Sequence, residues 1–239
     1  MNYSKLQETQ SGQIQQDGLS ASRRIYLYLR QQIIEMSMPP GMRVIEREIA
    51  EAHGISRTPV HEAVQRLAED GLIEIRPRVG TFVARIPLDA LEEAMLIRTA
   101  LEQTVVAEAA KRSTTEGINL LHDIINTQNI CAQAGDTKGF HQADEAFHVQ
   151  LGIISGHPGI WPIILQAKIQ IDRYRQLTLP LPGRMTVVVD EHISIVNAVA
   201  SHNADEAISA MRQHLDQVLP VLKITNVMHP EYFIPHPHE

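Results

Sequence analysis

A chain of 239 residues, 44% hydrophobic and only 4% aromatic, is comfortable as two small domains and leans toward helices packed with aliphatic side chains. It contains no run of about 18 apolar residues, which excludes a membrane-spanning helix, and its polar start, MNYSKLQETQSGQIQQDGLS, lacks the apolar stretch of a secretory signal. The single cysteine, Cys131, excludes an intrachain disulfide and fits a reducing cytoplasm, the expected location.

The net charge of −7 argues at first against a nucleic-acid partner, but its distribution does not. Residues 21–86 hold ten arginines, no lysine and eight acids, a balance of +2, whereas residues 87–239 carry −8. Positive charge gathered in one N-terminal segment fits DNA binding there and another task in the acidic remainder.

Residues 1–20 are rich in Gln, Ser and Gly, and a flexible segment is expected. A first helix follows with Ile25, Leu29 and Ile33 at helical spacing, stopped by Pro39-Pro40-Gly41. A second helix is predicted over Glu46 to His53, with Ile49 and Ala50 inward and Gly54 at its end. A third has Ser56 as N-cap, Pro59 in the first turn, Val60, Val64 and Leu67 as its inward stripe, and Gly71 beyond its end. Two short helices joined by a tight turn make a helix-turn-helix, whose second helix enters the major groove. LIEI and TFVAR then read as two strands around RPRVG. This wing is tipped by Arg76 and Arg78, suited to phosphate or minor-groove contact, with Gly80 supplying a permissive backbone.

The stretch PGMRVIEREIAEAHGISRTPVHEAVQRLAEDGLIEIRPRVGTFVA resembles the winged helix-turn-helix of GntR-type bacterial transcriptional regulators, with turn, recognition helix and wing all in register. The resemblance implies DNA contacts from Arg43, Arg57 and Thr58. Position 61 is usually arginine in that family, and His61 departs from it. A neutral imidazole is a weaker phosphate partner and reads bases differently.

Beyond Pro87 the pattern is helical, with breaks near Gly135, His157-Pro158-Gly159 and Leu179 to Gly183. Six helices are predicted, over 88–111, 116–134, 137–155, 159–177, 184–201 and 204–223, forming an all-α antiparallel bundle over 87–223, with a flexible tail from 224 to 239. Phe140, Asp144, Phe147, His148, Leu151 and Ile154 fall on one stripe. Val188, His192, Ile195 and Val199 form a second, and Ala207, Met211, His214 and Val218 a third. Ionisable residues thus interrupt the apolar face of three helices. Lone charges are expensive to bury, so such groups are expected to satisfy one another. Three imidazoles and a carboxylate suit Zn²⁺, and equally Ni²⁺ or Mn²⁺, with positions left for water or ligand. The plainer reading of any one of them is a core histidine hydrogen-bonded to a neighbour.

The segments DEAFH, EHISIVNAV and AISAMRQHL resemble the FCD ligand-binding domain of the FadR-like branch, in a pattern closest to regulators of sugar-acid catabolism. In metal-binding members the ligands match Asp144, His148, His192 and His214. ISGHPGI departs in having His157 where many relatives have Asn. Arg98 and Glu102 interrupt the first bundle helix either as an i, i+4 ion pair or with Arg98 facing a carboxylate effector, and Arg173 is a second effector-binding candidate. His53, His122, His141 and His202 read as surface or local residues, as do His229, His236 and His238 in the tail. The expectation is a homodimer on a palindromic operator, with a small organic or sugar acid as effector. A metal sensor without organic effector is the alternative. A metal-dependent hydrolase or lyase is disfavoured, because Glu145 and Glu191 are expected to point away from the stripes.

Overall fold

Ser20 opens the fold by accepting a hydrogen bond from the Arg23 N–H on its hydroxyl, which satisfies one of the donors a helix start leaves over. The computed structural model describes residues 18–221 and 229–234. The flexible segment expected at 1–20 therefore lies outside the described residues up to Asp17. Helix α1 (Ala21–Ile34) buries Ile25, Leu29 and Ile33, the predicted stripe. After the Pro39-Pro40-Gly41 break the chain runs extended as β1 (Arg43–Val44), then enters α2 (Glu46–His53). Gly54 ends α2 at φ 63°, the left-handed geometry that suits glycine. Helix α3 (Arg57–Glu69) buries Val60, Ala63, Val64 and Leu67. Ser56 stands at its N-cap, but its hydroxyl makes no capping hydrogen bond. Tyr26 Oη donates to Asp70 Oδ2 at 2.5 Å, tying α1 to the end of α3.

The wing strands are β2 (Ile73–Arg76) and β3 (Gly80–Val83). The sheet has three strands rather than the expected two, in the antiparallel order β1-β3-β2. The added strand has a simple cause. Gly41 N–H donates to Val83 O and Val83 N–H to Met42 O, both at 2.8 Å, so the residues after the proline break are zipped onto β3.

A short strand β4 (Ile86–Pro87) leads into α4 (Leu88–Arg112), α5 (Thr115–Ala134) and α6 (Thr137–Ile154). The two-residue connections are built from caps. Thr114 Oγ1 accepts from Gly117 N–H, Gly135 takes φ 69°, and Asp136 Oδ1 accepts from Gly139 N–H. Such short links force antiparallel neighbours. The helix expected over 159–177 is two helices, α7 (Trp161–Ala167) and α8 (Ile169–Thr178). Lys168 breaks them with ψ near 2°, while its ammonium turns inward to Asp172 Oδ1 at 2.5 Å. Helices α9 (Arg184–Ala200) and α10 (Ala204–Asp216) complete the bundle. The last helix stops at Asp216, short of the expected 223, and a 3₁₀ turn follows at Leu219–Val221.

Two compact units result, divided at Ile86 and Pro87, and Glu231–Pro235 groups with the first. There β5 (Phe233–Ile234) pairs with β4, and Phe233 is buried. Part of the expected tail is therefore structured, because an apolar ring at 233 finds a strand edge to cover. His236 and His238 lie outside the described residues. No helix among the described residues is long and apolar enough to cross a membrane.

Candidate functional site

The interrupted stripes meet inside the bundle. α6 contributes Asp144 and His148 one turn apart, α9 contributes His192 and α10 His214, all four buried. Ligand-capable atoms of the three histidines lie within 4.8 Å of one another. The rings pack as aromatics too: Phe147 stacks on His192 with centroids 4.0 Å apart, and Trp161 on His148 at 5.7 Å.

His192 and His214 are hydrogen-bonded through Nδ1, and His148 Nδ1 closely approaches a carboxylate without making a hydrogen bond to it. His192 Nδ1 meets Gln128 Oε1 at 2.9 Å, His214 Nδ1 meets Glu191 Oε2 at 2.7 Å, and His148 Nδ1 lies 2.5 Å from Glu102 Oε2. Those partners are acceptors, so the N–H sits on Nδ1 and the lone pair on Nε2. The Nε2 atoms of His192 and His214 are buried without a hydrogen-bond partner, while His148 Nε2 lies 3.0 Å from Arg98 Nη2. Burial, reinforced by the neighbouring charges, holds the pKa of His192 and of His214 well below the ordinary imidazole range. Both rings are therefore neutral, the form that ligates a metal. Orphaned, neutral, convergent nitrogens with their far sides anchored fit a divalent ion, and the anchors are what metal-bound histidines require.

Asp144 is placed differently from the histidines. Its two oxygens accept from Arg175 at 2.6 and 2.7 Å, and Oδ1 stands 3.7 Å from His192 Nε2. Burial pushes its pKa up, but Arg175 and the adjacent imidazoles outweigh that and leave it well below the usual carboxylate range. Arg98 and Glu102 form the i, i+4 ion pair, fully buried, and the same pair reaches His148. The ion-pair reading of Arg98 thus holds. Its Nη1 is buried without a partner. Arg173 is also fully buried, with Nη1 on Gln170 Oε1 at 2.9 Å and its pKa lowered by burial to about 10. The arginine on Asp144 is Arg175, two residues further along α8.

Two sequence expectations are corrected here. Glu191 does not point away: it bridges His214 and Arg184, because α9 turns its side chain toward α10. His141 is not a surface residue; it lies 3.9 Å from Asp172, beside buried Lys168. Gln128, Glu191 and Arg175 were missed. A signal existed for the first, since Leu121, Ile125 and Gln128 form one more interrupted stripe. His202 makes a local contact, 2.9 Å from Ala110 O, and His53 packs edge-on against Tyr28. His157 is exposed, and its backbone N–H rather than its ring is engaged, with Gly152 O.

In the first unit, Arg57, Thr58 and His61 lie on the exposed face of α3, opposite its buried stripe. His61 Nδ1 is 3.0 Å from Glu46 Oε1. Arg43 belongs to β1 opposite Phe82, and a Cβ built at Gly80 would stand 3.4 Å from its Nε. At the wing tip Arg76 pairs with Glu74 at 2.8 Å and covers the Phe82 ring. Arg78 takes φ 63° in the three-residue turn between Arg76 and Gly80, so the strained position of this turn is an arginine.

A winged helix-turn-helix followed by a helical domain with a buried polar centre is the build of a DNA-binding transcriptional regulator. The chain belongs to the gntR family of bacterial regulatory proteins, whose model matches residues 21–83, and its second unit is an FCD domain, matched over residues 93–217. It is 33% identical over 219 residues to a transcriptional regulator of the helix-turn-helix type in an unstable DNA locus of Streptomyces ambofaciens, covering 92% of each chain. It is 27% identical to a probable D-xylose utilization operon transcriptional repressor of Paenarthrobacter nicotinovorans, covering 83% of this chain and 87% of that one. The fold matches Escherichia coli McbR/YncC with a TM-score of 0.73 at 20% identity, over 86% of this chain and 98% of the other. FCD domains are associated with metal binding in general.

Proposed function

We propose that this chain is a ligand-responsive repressor of a catabolic operon, binding a palindromic operator as a homodimer and sensing a small organic acid, of the sugar-acid class, in its helical domain. A dimer is required because one recognition helix reads only a half-site. The likeness to a D-xylose operon repressor supports the catabolic reading. The observation that carries the sensor is the pair of buried, partnerless Nε2 atoms on His192 and His214, whose Nδ1 atoms are both engaged.

A divalent ion would be held by Nε2 of His148, His192 and His214, with Asp144 as fourth ligand through lone pairs that Arg175 leaves over. This set accepts Zn²⁺, and also Ni²⁺ or Mn²⁺. Bound there, the ion would supply a Lewis-acidic anchor for a carboxylate oxygen. The chain's own contribution is the guanidinium of Arg98. Its Nε is held by Glu102 and its Nη1 is buried without a partner; with the His148 Nε2 lone pair given to the ion, Nη1 and Nη2 would both be left to donate to the acid. An acid that binds one state of the domain better than another shifts operator affinity by that difference and no more.

The test is a titration of operator affinity on duplex from the chain's own promoter region, with metal alone and then with sugar acids at saturating metal. Operator affinity that responds to acids only when metal is present supports the reading. A full response to metal alone identifies a metal sensor, and no retardation of DNA under any condition rejects both.

A further inference from the structure

The exposed face of α3 carries a second ordered device. Arg57, His61 and Gln65 recur every four residues and are all exposed, while Val60, Ala63, Val64 and Leu67 are buried behind them. At about 1.5 Å per residue the three cover about 12 Å of helix, enough to span several base edges in a major groove. Two of the three are governed from α2 by Glu46, which is only 18% exposed. One of its oxygens meets His61 Nδ1 at 3.0 Å, and the other stands 3.9 Å from Arg57 Nη2.

A carboxylate accepts and does not donate, so the proton of the His61 ring is held on Nδ1 and the outward Nε2 presents a lone pair. Gln65 Nε2, one turn along the helix, donates to that lone pair at a long 3.5 Å, a bond that a base amine would replace. In the major groove the exocyclic amines of adenine and cytosine are donors, whereas guanine offers two acceptors, O6 and N7. A fixed acceptor pairs with the first and is repelled by the second.

We propose that the Glu46–His61 pair makes His61 a hydrogen-bond acceptor that reads the exocyclic amine of adenine or cytosine and rejects guanine at one operator position. Glu46 is the positioning residue, and His61 makes the contact. An arginine at the same place would donate from its fork and read guanine instead.

The experiment selects half-sites at pH 8 from a randomised duplex pool with the full chain and with His61→Ala, His61→Arg and Glu46→Gln, and follows base preference by position. The position read by His61 is the one where His61→Ala loses its preference, with discrimination falling about tenfold, the scale of a groove hydrogen bond. Wild type selects adenine or cytosine there, His61→Arg selects guanine, and Glu46→Gln relaxes that position at an unchanged thermal midpoint. Guanine selected by the wild type would mean an imidazolium donor and overturns the proposal. A His61→Ala profile identical to wild type at every position overturns it too. Because His61 is exposed, both of its variants fold whether or not Glu46→Gln does.

Discussion

His192 and His214 are almost without solvent contact, and a proton added to either is added inside the bundle. Their pKa values are held far below the 6.5 of a free imidazole, chiefly by burial. The unfolded chain therefore takes up protons that the folded chain refuses once the pH drops through 6.5. Stability is fully present above that value and is lost as the pH falls toward the folded-state pKa, by about 1.4 kcal/mol per histidine per pH unit. Thermal melts of chelator-treated protein are expected to show a midpoint that is flat from pH 7 to 8 and falls steadily from 6.5 to 5.5. His192→Phe, which keeps a flat ring beside Phe147, is expected to flatten part of that slope. The groups holding Nδ1 lead to a second expectation. Glu191→Gln keeps an acceptor for His214 but removes its charge, and Glu191→Ala removes both. Zinc affinity should weaken in that order, with about 10–100-fold lost in the alanine variant, measured by competition with a chromophoric chelator. Equal affinity in all three proteins would show that Glu191 does not orient His214 for a metal. At this scale the sequence exposed the four stripe residues because each breaks an apolar repeat. It hid Arg175, because α8 is short, follows a break at Lys168 and buries both Arg173 and Arg175.

Among the elements, the wing shows structure yielding to task. Arg78 adopts a left-handed backbone at φ 63°, a conformation that costs a side-chain-bearing residue about 1 kcal/mol and that glycine adopts freely. Arg78→Gly is expected to raise the denaturation midpoint slightly while weakening operator binding, with the slope of log affinity against log salt reduced by about one contact. If the variant binds operator with the wild-type salt slope, Arg78 does not touch phosphate. Caps make a cleaner stability test. Asp136 bonds Gly139 N–H at the start of α6, the helix that carries Asp144 and His148, so Asp136→Ala should destabilise by about 1 kcal/mol in urea melts. The helix-turn-helix was legible to within a residue because Gly54, Gly71 and the proline run punctuate it. The split of α7 from α8 was not. Nothing local in AKIQID marks a break, and the Lys168–Asp172 pair across it has the i, i+4 spacing that an unbroken helix also allows.

For the whole molecule, the two units should respond to metal unequally. An ion that binds the folded helical unit at about 100 times its dissociation constant adds about 2.7 kcal/mol to that unit's stability. Calorimetry with and without zinc is expected to move the transition of the helical unit upward and leave that of the winged unit nearly fixed. The division into a DNA-binding unit and a helical one was readable from charge and periodicity, since ten arginines sit in residues 21–86 and the hydrophobic spacing turns helical beyond Pro87. The return of the chain at Phe233 was not readable, because two strand residues among prolines carry no periodic signal.

That return has a practical side. With β5 laid on β4, the helical domain is topologically an insert: the chain leaves the winged unit at Ile86 and comes back to it at Glu231. Residues 231–234 thus group with the winged unit and not with the helical unit they follow. A truncation placed just after the last bundle helix would therefore remove β5 from its partner β4 and alter the winged unit, although it cuts beyond the helical one.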